Sequence, residues 1–393
     1  MSSPAYVTAA ASHLERAKAL RELIESEADN AESGGTVPAS VIEAMREAEL
    51  FWVLCPKELG GAGESVLVYL DTIEEIARSD GSTGWTLMAN STATTVAATQ
   101  CSDEHVQRMF GGKRLPVMAL AFAPSGRCME QDGKWRGGGR FGFGSGVNHA
   151  DWVSGGLMFF DDGKPRMAEG GMPKVVGAFV PRNSIRLHGN WDVTGLRGTG
   201  SYDFEIPEQE IDPAWTFNQY FTEPKRGGAV AAIGTHAYAC LGHTAVVFGM
   251  ARRALEEIAR MASVRKRLGS NGTIAESPLF QADFMKYEAM FQEARAHVVD
   301  VYRDAEDTAK SGATVSHVQH ARMRQAATRG HIVAKEVVQF AFSAGASGSL
   351  RNPSVLGRLL RDISVAAQHI IVDPSSMLEA APAVIAHWAA AGK

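Results

Sequence analysis

The chain has 393 residues, with 39 Lys and Arg against 44 Asp and Glu, a formal net charge of −5. That mild acidity argues against a nucleic-acid-binding role, which needs a basic footprint. Hydrophobic residues make up 45% and charged residues 21%, an ordinary globular balance that excludes a disordered chain and allows a sizeable core in two or three lobes.

The first stretch is helical. Leu14, Ala17, Leu20, Leu23 and Ile24 recur at three- and four-residue steps, one apolar helix face. Pro38 stands at a helix start, followed by Val41, Ile42, Met45 and Ala48. The apolar run Phe51 to Cys55 ends at Pro56, and Lys57 to Gly63 reads as a loop. Two further helices are predicted over Leu67–Ser79 and Gly84–Gln100.

The texture then changes. Val117–Ala123, Trp152–Phe160, Val175–Pro181 and Tyr202–Ile206 read as strands, with turns at Asp132-Gly133, Asp162-Gly163 and Gly170-Gly171. The run Gly137 to Gly146 reads either as a glycine-rich hairpin or as backbone that must approach a flat ligand. After that, amphipathic segments cover Ala229–Arg267, Gln281–Ser311 and Val315–Ala344, and a final helix is predicted over Val355–Ile371. Four long helices with short connections suggest a bundle. The reading is therefore α+β, mostly α, in three lobes: helical over 1–114, β over 115–215 and a helical bundle over 216–393.

Several chemistries are excluded. Cys55, Cys101, Cys128 and Cys240 are far apart and form no CxxC pair, against a zinc ribbon or disulfide scaffold. No run of about 18 apolar residues suggests a membrane span. Met1 to Glu15 lacks the basic and apolar regions of a secretion signal, so a soluble cytoplasmic protein is expected. On that expectation the sequon Asn271-Gly272-Thr273 carries no sugar. The glycine run is no dinucleotide fingerprint, because strands flank it on both sides, and no Gly-Lys-Ser/Thr follows it. No Gly-x-Ser-x-Gly elbow is present. His236, Cys240 and His243 share a helix face, but no neighbouring carboxylate completes a metal set, so packing or pocket lining is the simpler reading. His317 and His320 sit on a charged, solvated face. His369 alone reads as a packed imidazole in an apolar helical run.

The order of helical lobe, glycine-rich β lobe and bundle resembles the acyl-CoA dehydrogenase superfamily over almost the whole chain. Lys57-Glu58-Leu59-Gly60-Gly61 is similar to its Pro-x-Glu-x-Gly-Gly loop. Phe143 to Trp152 is similar to the segment that covers the flavin ring, and Arg265 to Gly269 to the element that reaches a flavin phosphate. The dehydrogenase base, a Glu in a Tyr-Glu-Gly-Thr-like sequence after Arg-Asp, has no counterpart after Arg361-Asp362, where His369 and Ile370 stand. Trp191 to Asp203, containing Gly195-Leu196-Arg197-Gly198-Thr199-Gly200-Ser201, is instead similar to the two-component flavin-dependent monooxygenases.

The resemblance implies a middle lobe that is β-barrel-like, a homotetramer, and the oxygenase component of such a pair. A separate NAD(P)H-dependent flavin reductase would supply FADH2 or FMNH2. With O2, a flavin C4a-hydroperoxide would hydroxylate a small phenol- or indole-type aromatic. It implies His369 as the proton-exchanging group and Ser145 as a hydrogen-bond donor near the flavin N5. Phe143 would pack on the ring, Ala123, Pro124 and Ser125 would meet its edge, and Arg265, with Ser347 and Arg351, would serve the phosphate end. Trp85, Asn90, His236 and Tyr238 are candidates for the substrate cavity, and no metal is implied. A histidine that many such enzymes carry after Gly-Ser-Thr-x-Trp is absent here: Met88, Asn90, Ser91 and Thr92 follow Trp85. The competing expectation is an acyl-CoA dehydrogenase using FAD.

Overall fold

The computed structural model describes residues 11–391 except 267, 268 and 270. Arg267 and Leu268 of the Arg265–Gly269 element, and both ends of the chain, therefore lie outside the described residues.

Six helices come first: α1 (His13–Ala19), α2 (Arg21–Gly34), α3 (Ala39–Glu47), α4 (Val66–Ser79), α5 (Gly81–Gln100) and α6 (Asp103–Phe110). Each start has a local cause. Ser12 and Glu15 form a reciprocal cap on α1, and Pro38 precedes α3 as expected. Asp80 is extended, so it stops α4, and its carboxylate takes the Thr83 N–H at 2.8 Å, which starts α5 three residues earlier than the pattern suggested. Every residue of α5 except Ala89 is buried, which makes it the central helix of the molecule. The apolar run after α3 becomes a short 3-10 turn (Leu50–Trp52).

The middle holds β1 (Met118–Gln131), β2 (Lys134–Gly144), β3 (Trp152–Asp161), β4 (Lys164–Pro165), β5 (Val175–Pro181), β6 (Arg186–Leu187), β7 (Tyr202–Ile211) and β8 (Thr216–Asn218). They form one sheet in the order β6-β7-β2-β1-β3-β5-β8, with β4 beside β3. Only β1 and β3 pair in parallel; the other neighbours are antiparallel. The end strands β6 and β8 are not paired with each other among the described residues.

The glycine-rich run is not a hairpin. It is the second half of β2, and the hairpin turn is Asp132-Gly133, both at positive φ. β1 runs past Pro124, where the sequence pattern ended it. The strand crosses the proline by leaving its partner: its register on β3 breaks between Ala121 and Gly126, and pairing with β2 begins only at Arg127.

The last part contains α7 (Gly228–Ile233), α8 (Thr235–Val264), α9 (Pro278–Lys310), α10 (His317–Ala344), α11 (Val355–Ala366) and α12 (Ser376–Ala391). Gly234, at φ 93°, splits the predicted first segment into α7 and α8. The predicted final helix ends early, at Ala366, because the His369 side chain takes the Ile371 N–H and caps a short turn instead. α12 was not anticipated. No described helix is long and apolar enough to cross a membrane.

Among the described residues two large apolar cores result, with a small third cluster of Cys240, Ala327 and Val372. One joins the helical parts around α4, α5, α8 and α10, and the other fills the sheet around Phe141, Leu157, Phe159 and Phe204. At Gly249 of α8, an added Cβ would lie 2.3 Å from the Glu74 carbonyl oxygen of α4. Gly249→Ala should therefore push the two helices apart at a cost of about 1–3 kcal/mol. A urea midpoint equal to the parent's would show slack between α4 and α8.

Candidate active site

Three elements meet at Trp85. It sits one turn into α5 and is buried, and its indole N–H donates to Ser145 Oγ at 3.0 Å. Ser145 follows the end of β2. Its own backbone N–H turns back to the Phe143 carbonyl (2.9 Å), and Gly146, at φ 65°, lets the chain pass Asn90: a Cβ there would fall 2.1 Å from Asn90 Oδ1. Asn90 Nδ2 holds the Met118 carbonyl of β1 at 2.7 Å. Two side chains of α5 thus fix both β1 and the end of β2.

Hydroxyls continue from Ser145. Ser145 Oγ lies 2.8 Å from Ser201 Oγ, which lies 2.7 Å from Thr199 Oγ1, which donates to the Leu196 carbonyl at 2.8 Å. The Leu196 N–H in turn donates to Asp362 Oδ1 of α11 at 2.6 Å. Burial and the neighbouring Asp80 push the Asp362 carboxyl up to about 7. The connection beyond Ser145 is also clamped: Asp151 Oδ2 accepts from the Val117 N–H (2.7 Å) and from Arg46 (2.9 Å).

On its other side Trp85 meets imidazoles. Its ring is edge-on to His243 of α8 at 4.7 Å and to His369 at 5.8 Å, and the two imidazoles stack at 4.2 Å. His369 Nδ1 accepts the Ile371 N–H at 3.3 Å, so its ring hydrogen is on Nε2. His331 of α10 donates through Nδ1 to the Ala327 carbonyl at 2.9 Å. Burial pushes His369 and His331 down to about 4. His243 lies well below the ordinary imidazole range, through burial and then through His369 and His331. His369 is consequently neutral at pH 7, whereas an unperturbed imidazole would be about one quarter charged.

The remaining expected residues fall into three groups. Ala123, Pro124 and Ser125 form the unpaired gap in β1 and are exposed, with Ser125 Oγ donating to the Arg140 carbonyl of β2 at 3.1 Å. Phe143, farther along β2, is 77% exposed at φ 60° and edge-on to Trp191 at 6.2 Å. Arg265, Ser347 and Arg351 lie at the end of the bundle. The Arg265 guanidinium covers Gly348 so closely that a Cβ there would strike it, and neither Arg265 nor Arg351 has an ion-pair partner among the described residues. Tyr238 faces the core, with its hydroxyl donating to Thr235 at 3.2 Å. His236 lines a different cavity, about 490 Å³, with Cys240, Tyr302 and Arg324 between α8, α10 and α12. Among the described residues no His, Cys, Asp and Glu group is placed to hold a metal ion.

Pattern reading missed Thr199, Ser201, Asp362 and His331 as parts of this site, and took His243 only as packing or pocket lining. The first two lie inside the Gly-Leu-Arg-Gly-Thr-Gly-Ser segment and so were flagged without a role. His331 is one histidine inside a long helix and carries no local signal.

The residues fit a flavin. Asn90 Oδ1, His243 Nδ1 and His331 Nε2 are buried polar atoms with no partner among the described residues, and all three belong to side chains at or beside the Trp85 cluster. An exposed aromatic ring, a strand gap with free backbone groups and two uncompensated arginines supply what a planar ring with a phosphate tail requires.

Comparison with known proteins agrees. The description "Acyl-CoA dehydrogenase, N-terminal domain" matches residues 12–112, and "Acyl-CoA dehydrogenase, C-terminal domain" matches residues 241–374. An indole-3-acetate monooxygenase of Pseudomonas putida is 28% identical over 371 residues, covering 92% of each chain. The fold is that of 3-HSA hydroxylase from Rhodococcus sp. RHA1 (TM-score 0.85, 21% identity, 95% and 96% of the two chains). It is also that of XiaF from Streptomyces sp., solved in complex with FADH2 and glycerol (TM-score 0.84, 18% identity, 95% and 93%).

The buried imidazoles make stability pH-dependent. Their folded values lie below the unfolded 6.5, so between 6.5 and about 4 the unfolded chain binds more protons and the fold loses stability as pH falls. The melting temperature should drop across that window. His331→Leu should shallow the slope by up to about one proton. An identical slope would mean that His331 is protonated in the folded protein.

Proposed function

The chain belongs to the acyl-CoA dehydrogenase superfamily, in its flavin-dependent monooxygenase branch, and we propose that it is the oxygenase component of a two-component system that hydroxylates an indole- or phenol-type aromatic. The observation that carries this reading is Trp85, which joins the Ser145 hydroxyl to the stacked pair His243 and His369. A bound reduced flavin, FADH2 or FMNH2, would supply the activation of O2 for transfer of one oxygen atom.

The chain's own groups do the rest. Phe143 and the gap at Ala123–Ser125 hold the ring, and Arg265 with Ser347 and Arg351 holds the phosphate end. The packed α5 and the buried imidazoles keep water from the reacting atoms. His369, neutral and carrying its hydrogen on Nε2, exchanges a proton with substrate or oxygen species. Trp85 and Asn90 bound the substrate side, with His236, beside the cavity that Cys240 also lines, and Tyr238 as further candidates. The indole-3-acetate monooxygenase relative favours an indole-type substrate.

An acyl-CoA dehydrogenase is disfavoured by the residue after His369. Ile370 cannot take a proton, and Asp362, the buried carboxyl of α11, is engaged with Leu196. An NAD(P)H-dependent flavin reductase as partner, a cytoplasmic location and a homotetramer complete the proposal. Exposed apolar side chains on α12, Leu378, Ile385 and Trp388, support assembly. The proposed lobes are 1–114, 115–215 and 216–393, with the middle boundary moved past β8 (Thr216–Asn218), which pairs with β5.

The test combines the protein, a flavin reductase, NADH and indole-3-acetate or indole, with product identified by mass spectrometry. Hydroxylated product is expected. His369→Ala should lower it by about 10²-fold or more while reduced flavin still binds. Reduction of an artificial acceptor by an acyl-CoA, without oxygenation, would establish the dehydrogenase reading instead.

A further inference from the structure

The face of α8 that carries His243 continues past the imidazole pair. Cys240 lies one turn before His243 and His236 one turn before that, and both line the cavity of about 490 Å³ that α10 and α12 close. His236 is exposed and stands at the mouth, whereas Cys240 is buried. Ala237, Met323, Ala380 and Ala383 make much of the wall apolar. A cavity of this size holds one or two fused aromatic rings.

Into this wall α10 brings a cation. The Arg324 side chain is half-buried, and its Nη1 donates to the Ile371 carbonyl at 3.3 Å. Its Nε and Nη2, the edge of a guanidinium that pairs with a carboxylate in two parallel bonds, have no partner among the described residues. Arg46, Arg78, Arg295 and Arg358, likewise drawn in from the surface, each hold a carboxylate. Glu379 of α12, on the same wall, is exposed and makes no ion pair with Arg324 among the described residues. A guanidinium withdrawn from water calls for an anion to replace the lost hydration. The field of Arg324 reaches the inner wall, where it opposes the upward push of burial on the Cys240 thiol and the Tyr302 hydroxyl.

One residue joins this cavity to the imidazoles. The Ile371 carbonyl accepts from Arg324 and from Cys240 Sγ (3.7 Å), and the Ile371 N–H donates to His369 Nδ1. Arg324 Nη1 and His369 Nδ1 are therefore at most about 11 Å apart, the length of two 3.3 Å contacts and the three backbone bonds between N and O of Ile371. A carboxylate hydrogen-bonded to Arg324 and followed by a bicyclic ring covers that distance.

We propose that Arg324 makes this cavity the binding site for the carboxylate of a small aromatic acid and so sets the protein's specificity for an acid over its neutral counterpart. The ring lies against Ala237 and Cys240 and points along α8 toward His243 and His369. The proposal rests on the reading of an aromatic oxygenase and adds to it the charge of the substrate and the residue that recognises that charge.

The test measures binding first. Isothermal titration compares indole-3-acetate with the uncharged indole-3-acetamide on the parent, Arg324→Gln and Arg324→Lys. The parent should bind the acid about tenfold or more tightly than the amide. Arg324→Gln should weaken the acid by about ten- to a hundredfold and move the amide by less than about threefold. Arg324→Lys keeps the charge without the planar fork and should recover part of the loss. A structural role alone would weaken both ligands together, and that result overturns the proposal, as does a parent with no preference for the acid. Should Arg324→Gln fail to fold by circular dichroism, Arg324→Lys carries the test, with a loss of about three- to tenfold confined to the acid. Turnover with a flavin reductase and NADH separates the two readings. Hydroxylation of the amide as readily as of the acid overturns the carboxylate site alone. Arg324-dependent binding of the acid with no oxygenated product from any of these ligands overturns the oxygenase reading and leaves the carboxylate site standing.

Discussion

The indole N–H of Trp85 on Ser145 Oγ is the contact on which the site depends. It ties the central helix α5 to the end of β2, two elements that belong to different cores. Without it the hydroxyl chain and the imidazole pair would be two unrelated buried clusters. The contact is possible because α5 is buried on nearly every side and so has no freedom to rotate. The Asn90 amide adds a second tie one turn and a half further on, to the Met118 carbonyl. The glycine at 146 is required for the same reason: any side chain there would displace Asn90.

Burial, more than any charged neighbour, sets the chemistry of the histidines. No carboxylate faces His369, so nothing offsets the loss of hydration and the neutral form wins. Its Nδ1 is occupied by the Ile371 N–H, which leaves one tautomer and one usable nitrogen. An imidazole held in this way is suited to passing a proton in the course of a reaction and unsuited to storing a permanent charge. Electrostatic stabilisation of a negative group by His369 would need protonation that its surroundings oppose at neutral pH.

Much of the architecture was legible in the sequence, because it follows from periodicity and turn chemistry. Val175–Pro181 is a strand with the bounds the pattern implies, and Asp132-Gly133 and Asp162-Gly163 form turns at positive φ. The errors have local causes. Pro124 looked like a strand end because a bulge that accommodates it leaves no mark in composition. The Gly137–Gly146 run looked like its own hairpin because glycine signals both turns and close approach, and in β2 it is close approach that applies. His369 looked helical because its apolar neighbours continue the pattern, while the capping hydrogen bond that ends the helix depends on one side-chain rotamer.

The site itself was legible only in part, and the division is physical. Ser145 and His369 stand in segments whose neighbours resemble known flavin-covering and active-site stretches. His243 and His331 come from two further helices, and their meeting with His369 is a product of how α8, α10 and the turn after α11 pack. The same holds for Thr199 and Ser201. Their residue types were visible, but their contacts with Ser145 arise only when the turn before β7 folds against the end of β2, with Leu196 held by Asp362 from a helix more than a hundred and sixty residues away. A carboxylate in the sequence after Arg361 invites a catalytic reading. In the fold its Oδ1 accepts a backbone N–H, that of Leu196, so the carboxyl holds the turn that leads to Thr199 and Ser201.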